Sequence, residues 1–290
     1  MRPQMEPRSA RIGDIQMRWY EYGVGRPLVL LHGIPTSPRL WRHVVPALSG
    51  VRVLAWELIG YGGSIREGRG LDLSVAAQAR YLLSWMDALA LERPILVGHD
   101  LGGGIAQIVA TQRPLAGLLL VNCVAYDSWP IPSVKLLRAM APLVRRAPNA
   151  LVKWMMRLMF ARLHDDPKRA RESLEAHWSD YAREKAGAAL VRQALALDNR
   201  DTQRIAPELR NVKVPARVVW GTRGPQSIAY AHRLGRDLGA PVIPLRGAHH
   251  FVPEDHPDVL AREIQALIEQ VERPSPVVPR MLSPEGDAAR

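Results

Sequence analysis

The residue best placed to do chemistry is Asp100, at the centre of residues 97–103 (VGHDLGG). A short apolar run precedes this segment and a helical pattern follows it, so the segment predicts a sharp strand-to-helix turn. Glycines flank Asp100 because the central residue of such a turn has a strained backbone and larger neighbours would clash. The usual residue at this position is Ser. A carboxylate is already ionised at neutral pH and needs no base, so Asp100 is predicted to be a nucleophile that forms a covalent ester; the other interpretation is a helix-capping carboxylate.

Two adjacent histidines are candidates for a general base. His249 and His250 follow the last predicted strand, within residues 247–251 (GAHHF). Imidazole titrates near neutral pH and can therefore accept a proton from water. A third histidine, His32, follows an earlier strand in residues 32–35 (HGIP), and we assign it a structural role in that loop.

The elements that must position these residues alternate between strands and helices. Helical patterns begin after Ser74, which is a suitable N-cap, after Gly103 and near Asp258, and a short helix is predicted over residues 41–48. Strand-like apolar runs cover residues 12–22 (one or two strands), 27–31, 51–56, 94–97, 117–121, 216–220 and 241–245. This alternation predicts an α/β protein with a mostly parallel sheet flanked by helices.

The alternation stops between residues 127 and 208, where only helical patterns occur. We predict that 127–208 is an all-helical lid inserted into a core formed by 12–126 and 209–272, and that 273–290 is a disordered tail. Apolar stripes in the lid are formed by Leu136, Leu137, Met140 and Leu143, and by Leu151, Trp154, Met155, Leu158 and Met159. Lys and Arg flank both stripes. The interpretation we favour is an apolar face that covers a pocket and a solvated basic face; the alternative is an interfacial helix on a membrane.

Composition restricts the possible partners. The chain has 290 residues, 47% of them hydrophobic, and a net charge of +11 from 39 basic and 28 acidic residues. The arginines are scattered and no nucleic-acid motif is present, so nucleic-acid binding is not expected. A single cysteine, Cys123, argues against disulfides and cysteine-based metal sites. We expect a cytoplasmic protein with a small-molecule substrate, no metal or cofactor and no stable membrane insertion, and leave its oligomeric state open.

Four patterns in fixed order carry a family resemblance: the HGIP loop at 32–35, the turn at Asp100, the helical insertion and the GAHHF segment at 247–251. Together they resemble the α/β-hydrolase family over residues 17 to about 271, and the aspartate narrows this to the branch of haloalkane dehalogenases and epoxide hydrolases. The resemblance implies that His250 activates a water molecule, which attacks the ester carbonyl. It also implies an oxyanion hole formed by the N–H groups of Ile34 and Leu101. The family ending Gly-x-Gly-His-Phe leaves His249 as a wall residue.

The third catalytic position departs from the family. The acid that orients the histidine normally follows one of two strands, and those positions are Gly224 and Asn122 here. Glycine has no side chain, and neutral asparagine stabilises an imidazolium poorly. Asp127 is the nearest carboxylate that could replace the acid, and we predict it for this role. The alternatives are Asn122 itself or no partner at all.

The positions that usually bind the leaving group also differ. The resemblance implies an Asn and a Trp for haloalkane dehalogenases, or an Arg for fluoroacetate dehalogenases, where this chain has Ile34 and Leu101. Epoxide hydrolases use lid tyrosines, for which Tyr181 is the candidate, with Tyr126 at the lid entrance and Trp178 as a second substrate contact. We therefore favour hydrolysis of a small, fairly apolar epoxide. The alternatives are a haloalkane dehalogenase, an esterase-like hydrolase, and a non-hydrolytic lyase, cyclase or ligand-binding protein with an incomplete triad.

Overall fold

The computed structural model, which describes residues 5–273, has one eight-stranded sheet. The first strand covers Glu6–Ile12, almost wholly before the range 12–22 in which the sequence predicted one or two strands. The strand order is β1-β2-β4-β3-β5-β6-β7-β8. Strands β3 to β8 run parallel to one another, whereas β2 is antiparallel to both of its neighbours, β1 and β4. The strands are β1 (Glu6–Ile12), β2 (Ile15–Tyr22), β3 (Arg26–Leu31), β4 (Val51–Trp56), β5 (Ile95–His99), β6 (Gly117–Val121), β7 (Ala216–Gly221) and β8 (Val242–Leu245). The predicted α/β fold is confirmed.

Eleven helices accompany the sheet in the part of the chain that the structure describes. They are α1 (Val75–Ala88), α2 (Leu101–Gln112), α3 (Pro132–Ala139), α4 (Ala141–Val144), α5 (Asn149–Leu163), α6 (Pro167–Ala182), α7 (Ala186–Leu195), α8 (Arg200–Ile205), α9 (Ile228–Leu238), α10 (Val252–Asp255) and α11 (Pro257–Glu272). The Ser74 hydroxyl accepts a hydrogen bond from Ala77 N, as expected of an N-cap. Two 3₁₀ turns, Pro38–Trp41 and Val45–Ala47, replace the single helix predicted over residues 41–48.

The central strands are apolar throughout because both of their faces are buried. In β3, Leu28 and Leu30 pack into one hydrophobic cluster, while Val29 and Leu31 pack into another on the opposite face. Parallel strands covered by helices on both sides have this continuous apolar composition. The carboxyl ends of β3 and β5 are neighbours, so the HGIP loop and Asp100 meet at one edge of the sheet.

Between β6 and β7 the chain forms only helices, α3 to α8, and a 3₁₀ segment at Ala206–Asn211. The interpretation of the lid stripes is wrong in one respect, because Leu136, Met140, Leu143, Leu151, Trp154 and Leu158 are exposed. The face of α5 that packs inward carries Val152, Met156 and Phe160 instead. Every helix within residues 5–273 is too short or too polar to cross a bilayer. The tail predicted to be disordered lies outside the described residues from 274 onward.

Candidate active site

Asp100 occupies the turn between β5 and α2 with φ 53° and ψ −121°, a backbone conformation that L-residues rarely adopt. The surrounding glycines allow the close packing that this turn requires. A Cβ on Gly102 would lie 2.2 Å from the carbonyl oxygen of Leu31, and one on Gly33 would lie 2.2 Å from Asp100 Oδ2. The predicted strand-to-helix turn is therefore present, with the carboxylate packed against the HGIP loop.

The two carboxylate oxygens of Asp100 have different surroundings. Oδ2 accepts a hydrogen bond of 2.9 Å from Ile34 N, and the backbone N–H of Leu101 also donates to the carboxylate. These are the two N–H groups predicted for an oxyanion hole. Burial raises the pKa of Asp100 to about 7, although both hydrogen bonds oppose that shift.

His250 faces the other carboxylate oxygen. Its Nε2 lies 4.0 Å from Asp100 Oδ1. Burial, together with nearby His99 and His164, lowers the pKa of His250 well below its ordinary value, so the ring is neutral at pH 7. The loop is fixed from two sides, because His250 N donates to Leu163 O (3.0 Å) and its carbonyl oxygen accepts from His99 Nε2 (3.0 Å).

The second ring nitrogen of His250 has no acid beside it. Nδ1 is buried and has no hydrogen-bond partner among residues 5–273. Asn122 is engaged elsewhere: its Oδ1 accepts from Gly221 N (2.7 Å) and its Nδ2 donates to Gly221 O (3.3 Å). Asp127 is exposed and accepts a hydrogen bond from Tyr230. The prediction that Asp127 orients His250 is therefore wrong. Asp127 lies on the surface at the lid entrance and makes no hydrogen bond to His250.

His249 points away from the nucleophile. Its backbone N–H donates to Asp165 Oδ1 over 2.6 Å, and its ring Nδ1 lies 2.8 Å from the same oxygen. The same carboxylate lies 2.5 Å from His256 Nε2. The imidazole of His249 is therefore held by the lid rather than presented to Asp100, which leaves His250 as the histidine at the nucleophile.

The two predicted lid contacts lie in different places. Tyr181 is buried, and its hydroxyl donates to Gln193 Oε1 (2.7 Å), whose Nε2 donates to Gly60 O (2.8 Å). Trp178 is half-buried at the contact between α5 and α6, with Lys153 Nζ 5.7 Å from its ring centre. Tyr181 thus belongs to the interior near the site, whereas Trp178 belongs to the lid's own packing and its prediction as a substrate contact gains no support.

Tyr61 is a candidate that the sequence analysis missed. Its side chain is fully buried, and its hydroxyl has no hydrogen-bond partner in the part of the chain that the structure describes. The ring packs edge-on against His32, with 6.2 Å between ring centres. Burial raises the pKa of Tyr61 well above its ordinary value, and the charges of Tyr181 and Asp100 add to that rise. The glycine-rich loop at 60–64 was the only sequence signal for this residue.

His32 holds the loop that carries Ile34. Its Nε2 accepts a hydrogen bond of 3.1 Å from Leu58 N, and burial lowers its pKa to about 3. The ring is therefore neutral, in keeping with a structural role. Residues 5–273 contain no group of three His, Cys, Asp or Glu side chains arranged to hold a metal ion. The groups that the structure brings together here are Asp100, His250 and the two backbone N–H groups, and Tyr61 packs beside the same loop through His32.

Residues 28–263 match the model of the alpha/beta hydrolase family, and the chain belongs to that family. A haloalkane dehalogenase from Agrobacterium fabrum is 41% identical over 101 residues, which cover 34% of this chain and 33% of the relative. A soluble epoxide hydrolase from Corynebacterium is 36% identical over 141 residues, which cover 46% of this chain and 48% of the relative. The chain thus matches less than half the length of either relative.

A solved structure with the same fold is that of an alpha/beta hydrolase fold protein from Burkholderia ambifaria. Its TM-score is 0.85 at 23% sequence identity, over 91% of this chain and 99% of that one. At this identity the likeness shows the fold alone.

Proposed function

We propose that this protein is a hydrolase that forms a covalent ester between Asp100 and a small, fairly apolar substrate, and that the substrate is an epoxide. The observation that carries the proposal is that the two carboxylate oxygens of Asp100 have different partners. Oδ2 is held by Ile34 N, whereas Oδ1 faces His250 Nε2 at 4.0 Å. One oxygen is thereby oriented for attack, and the other already lies where negative charge develops during ester hydrolysis.

In the first half of the reaction, Asp100 Oδ1 attacks an epoxide carbon and the carbon–oxygen bond of the ring breaks. The oxygen that is released takes a proton from the Tyr61 hydroxyl, which has no other partner among the described residues. A buried donor without a partner is in an unfavourable state. In the transition state the Tyr61 hydroxyl gains a hydrogen bond to the developing alkoxide. It has no such bond in the empty site, so this donor stabilises the transition state.

In the second half, His250 Nε2 removes a proton from water, and the resulting hydroxide attacks the ester carbonyl carbon of Asp100. Negative charge then develops on Oδ2, which accepts from Ile34 N, while Leu101 N–H donates to the same carboxyl group. The bond between the carbonyl carbon and the ester oxygen breaks, the departing alkoxide takes the proton of the added hydroxyl group, and the diol leaves with the original Oδ1. The proton on His250 returns to Tyr61 through solvent, and the carboxylate regains one oxygen from water.

The leaving group decides between epoxide and halide. The side chains of Ile34 and Leu101 carry no hydrogen-bond donor, so neither can hold a departing halide. Tyr61 provides an O–H group, which suits an oxygen that must be protonated. Dehalogenation is the second candidate, since the relative from Agrobacterium fabrum is named a haloalkane dehalogenase. Both reactions use the same first bond to Asp100 and differ in the atom that departs.

Turnover in labelled water tests the covalent route. The protein and an Asp100→Asn variant are incubated with panels of epoxides, haloalkanes and simple esters in ¹⁸O-water, and the peptide containing residue 100 is then analysed by mass spectrometry. We expect diol formation with label entering the Asp100 carboxylate, and no product from the variant. Product formation without label in Asp100 refutes the covalent ester. Halide release without diol formation from any epoxide replaces the epoxide assignment with dehalogenation.

A further inference from the structure

The lid presents an apolar surface to solvent. Eight large hydrophobic side chains are exposed within residues 5–273, and seven of them lie on lid helices or directly at their ends. The seven are Leu136, Met140, Leu143, Leu151, Trp154, Leu158 and Leu195. Leu143 is 70% exposed and Trp154 is 56% exposed. We call the six of these that lie between residues 136 and 158 the lid patch. Exposed apolar groups concentrated on one part of a surface indicate an interaction site.

The same part of the chain is strongly basic. Residues 128–164 contain seven Lys or Arg and no Asp or Glu. Five of the seven are exposed: Lys135, Arg145, Arg146, Arg157 and Arg162. The other two are engaged within the protein, since Arg138 donates to Ala194 O and Lys153 pairs with Glu175 at 2.7 Å. Positive charge therefore borders the lid patch.

The helices that carry the lid patch share one small hydrophobic cluster. Leu137 of α3 and Met155 of α5 pack around a small cluster formed by Ala141, Val144 and Val191. On the outer side, residues 136, 140 and 143 follow helical spacing, and so do residues 151, 154 and 158. One exposed apolar stripe thus lies on α3 and α4 and another on α5, and exposed Lys and Arg accompany both stripes in the sequence.

We propose that the lid patch docks on an anionic lipid bilayer. Apolar side chains with an aromatic residue among them enter the boundary between headgroups and acyl chains, and flanking Lys and Arg attract anionic headgroups. The absence of acidic residues from 128–164 fits this occupant, because no group in that stretch repels the anionic surface. The contact is peripheral, since no helix among residues 5–273 can cross the bilayer.

A second copy of the chain fits this surface less well. A symmetric dimer would place the same patch on both subunits, so the exposed arginines Arg145 and Arg157 would oppose like charges. A bilayer supplies negative charge and an apolar interior together. If the substrate proposed above is apolar, docking also brings the lid next to the phase in which such a substrate dissolves, but the docking proposal does not depend on the reaction.

Vesicle binding tests the proposal with the full chain. Sucrose-loaded vesicles of phosphatidylcholine alone, or with 30% phosphatidylglycerol, are sedimented with the protein at low salt and at 0.5 M salt. We expect co-sedimentation with the anionic vesicles, weakened by salt, and little with phosphatidylcholine. Absence of binding to anionic vesicles at low salt overturns the proposal.

Matched variants locate the contact. Leu143→Ser with Trp154→Ser removes apolar groups, and Val24→Ser is the control, because Val24 is 83% exposed on the core. Arg145→Glu with Arg157→Glu is matched by Arg236→Glu with Arg262→Glu, which makes the same charge change on exposed residues of α9 and α11.

We expect both lid variants to lower the vesicle partition coefficient by more than about tenfold and both controls to leave it nearly unchanged. All four variants change exposed side chains, and their melting temperatures show whether the fold is intact. Equal losses in the lid variants and the controls overturn the proposal. So does a dimer in light scattering that the lid variants dissociate, because the patch is then an interface between copies.

Discussion

An acid placed beside His250 is expected to accelerate the second half of the reaction. Gly224 lies on the loop after β7, and a Cβ built there falls 3.9 Å from His250 Cα. Its backbone is outside the left-handed region, so a side chain is sterically permitted. In the Gly224→Asp variant the new carboxylate therefore comes within reach of Nδ1 of His250, which has no partner among the described residues.

The size of the effect follows from the charge of the imidazolium. A carboxylate within about 4–6 Å raises the pKa of a histidine by about 1–3 units. Each unit corresponds to about tenfold stabilisation of the protonated ring, so hydrolysis of the ester is expected to be about 10 to 1000 times faster. The new Cβ also falls 2.8 Å from Asn122 Nδ2, which Gly221 holds in place. This overpacking costs about 1–3 kcal/mol of the free energy of unfolding.

Rapid-quench kinetics measure the outcome. In the natural protein, ester formation is expected to be faster than ester hydrolysis, so a burst of the first step precedes slow turnover and intact-mass analysis detects the alkyl-enzyme. In Gly224→Asp, turnover should rise and the amount of ester at steady state should fall. Gly224→Asn is the matched control, since it adds the same volume without charge. Equal acceleration by Gly224→Asn, or unchanged ester hydrolysis in Gly224→Asp, refutes the argument.

Three other predictions concern the first half of the reaction and the buried carboxylate. Tyr61→Phe should slow epoxide opening by about 100- to 10,000-fold, because it removes the proton donor. It should not lower the melting temperature, because the lost hydroxyl has no partner in the described chain. The control Tyr126→Phe loses a hydrogen bond to Asp237 and should leave the rate unchanged. The rate of ester formation should increase with pH up to about 7 and then level off, since the pKa of Asp100 is about 7 and only the carboxylate attacks; a burst rate that is flat from pH 5 to 9 contradicts this. The same raised pKa, from 3.8 to about 7, means that the unfolded chain loses this proton first, so the contribution of Asp100 to stability falls as pH rises from about 4 to about 7. Asp100→Asn should accordingly be more stable than the natural protein by about 2–4 kcal/mol at pH 8 in urea unfolding, with little difference at pH 4.

Much of the sheet could be predicted because its central strands are buried on both faces. Their apolar runs are unbroken, and the predicted strand at 51–56 coincides with β4 (Val51–Trp56). Helix α9 was not predicted, although the residues of its buried face, Ala231, Leu234, Gly235 and Leu238, recur at helical spacing in the sequence. The lid stripes were assigned to the wrong face because α5 is apolar around most of its circumference. Hydropathy identifies an apolar face but does not say what covers it.

Some residues of the candidate site could be predicted from local sequence patterns, whereas others depend on how the chain packs. The turn at Asp100 and the HGIP loop are local patterns, and each positions a backbone N–H group as well as a side chain. Whether Nδ1 of His250 meets an acid depends on which residues pack around the ring in three dimensions. No local sequence pattern encodes that packing. Tyr61 is similar: its residue type and loop are visible in the sequence, but the absence of a partner for its hydroxyl among residues 5–273 is a property of the packed interior.

The identity of residue 122 explains why an acid is missing at the end of β6. Asn122 spans the gap to β7 by accepting from Gly221 N and donating to Gly221 O, so both ends of its amide are used. A carboxylate in that position would satisfy the N–H group but would face the carbonyl oxygen without a proton to donate, and such a buried mismatch costs about 1–3 kcal/mol. The asparagine therefore stabilises the pairing of β6 with β7 at a position where related enzymes are expected to carry an acid. In the mechanism we propose, the groups that make the ester are complete, whereas His250 hydrolyses it without a charged partner among the described residues, so the ester on Asp100 is expected to be long-lived.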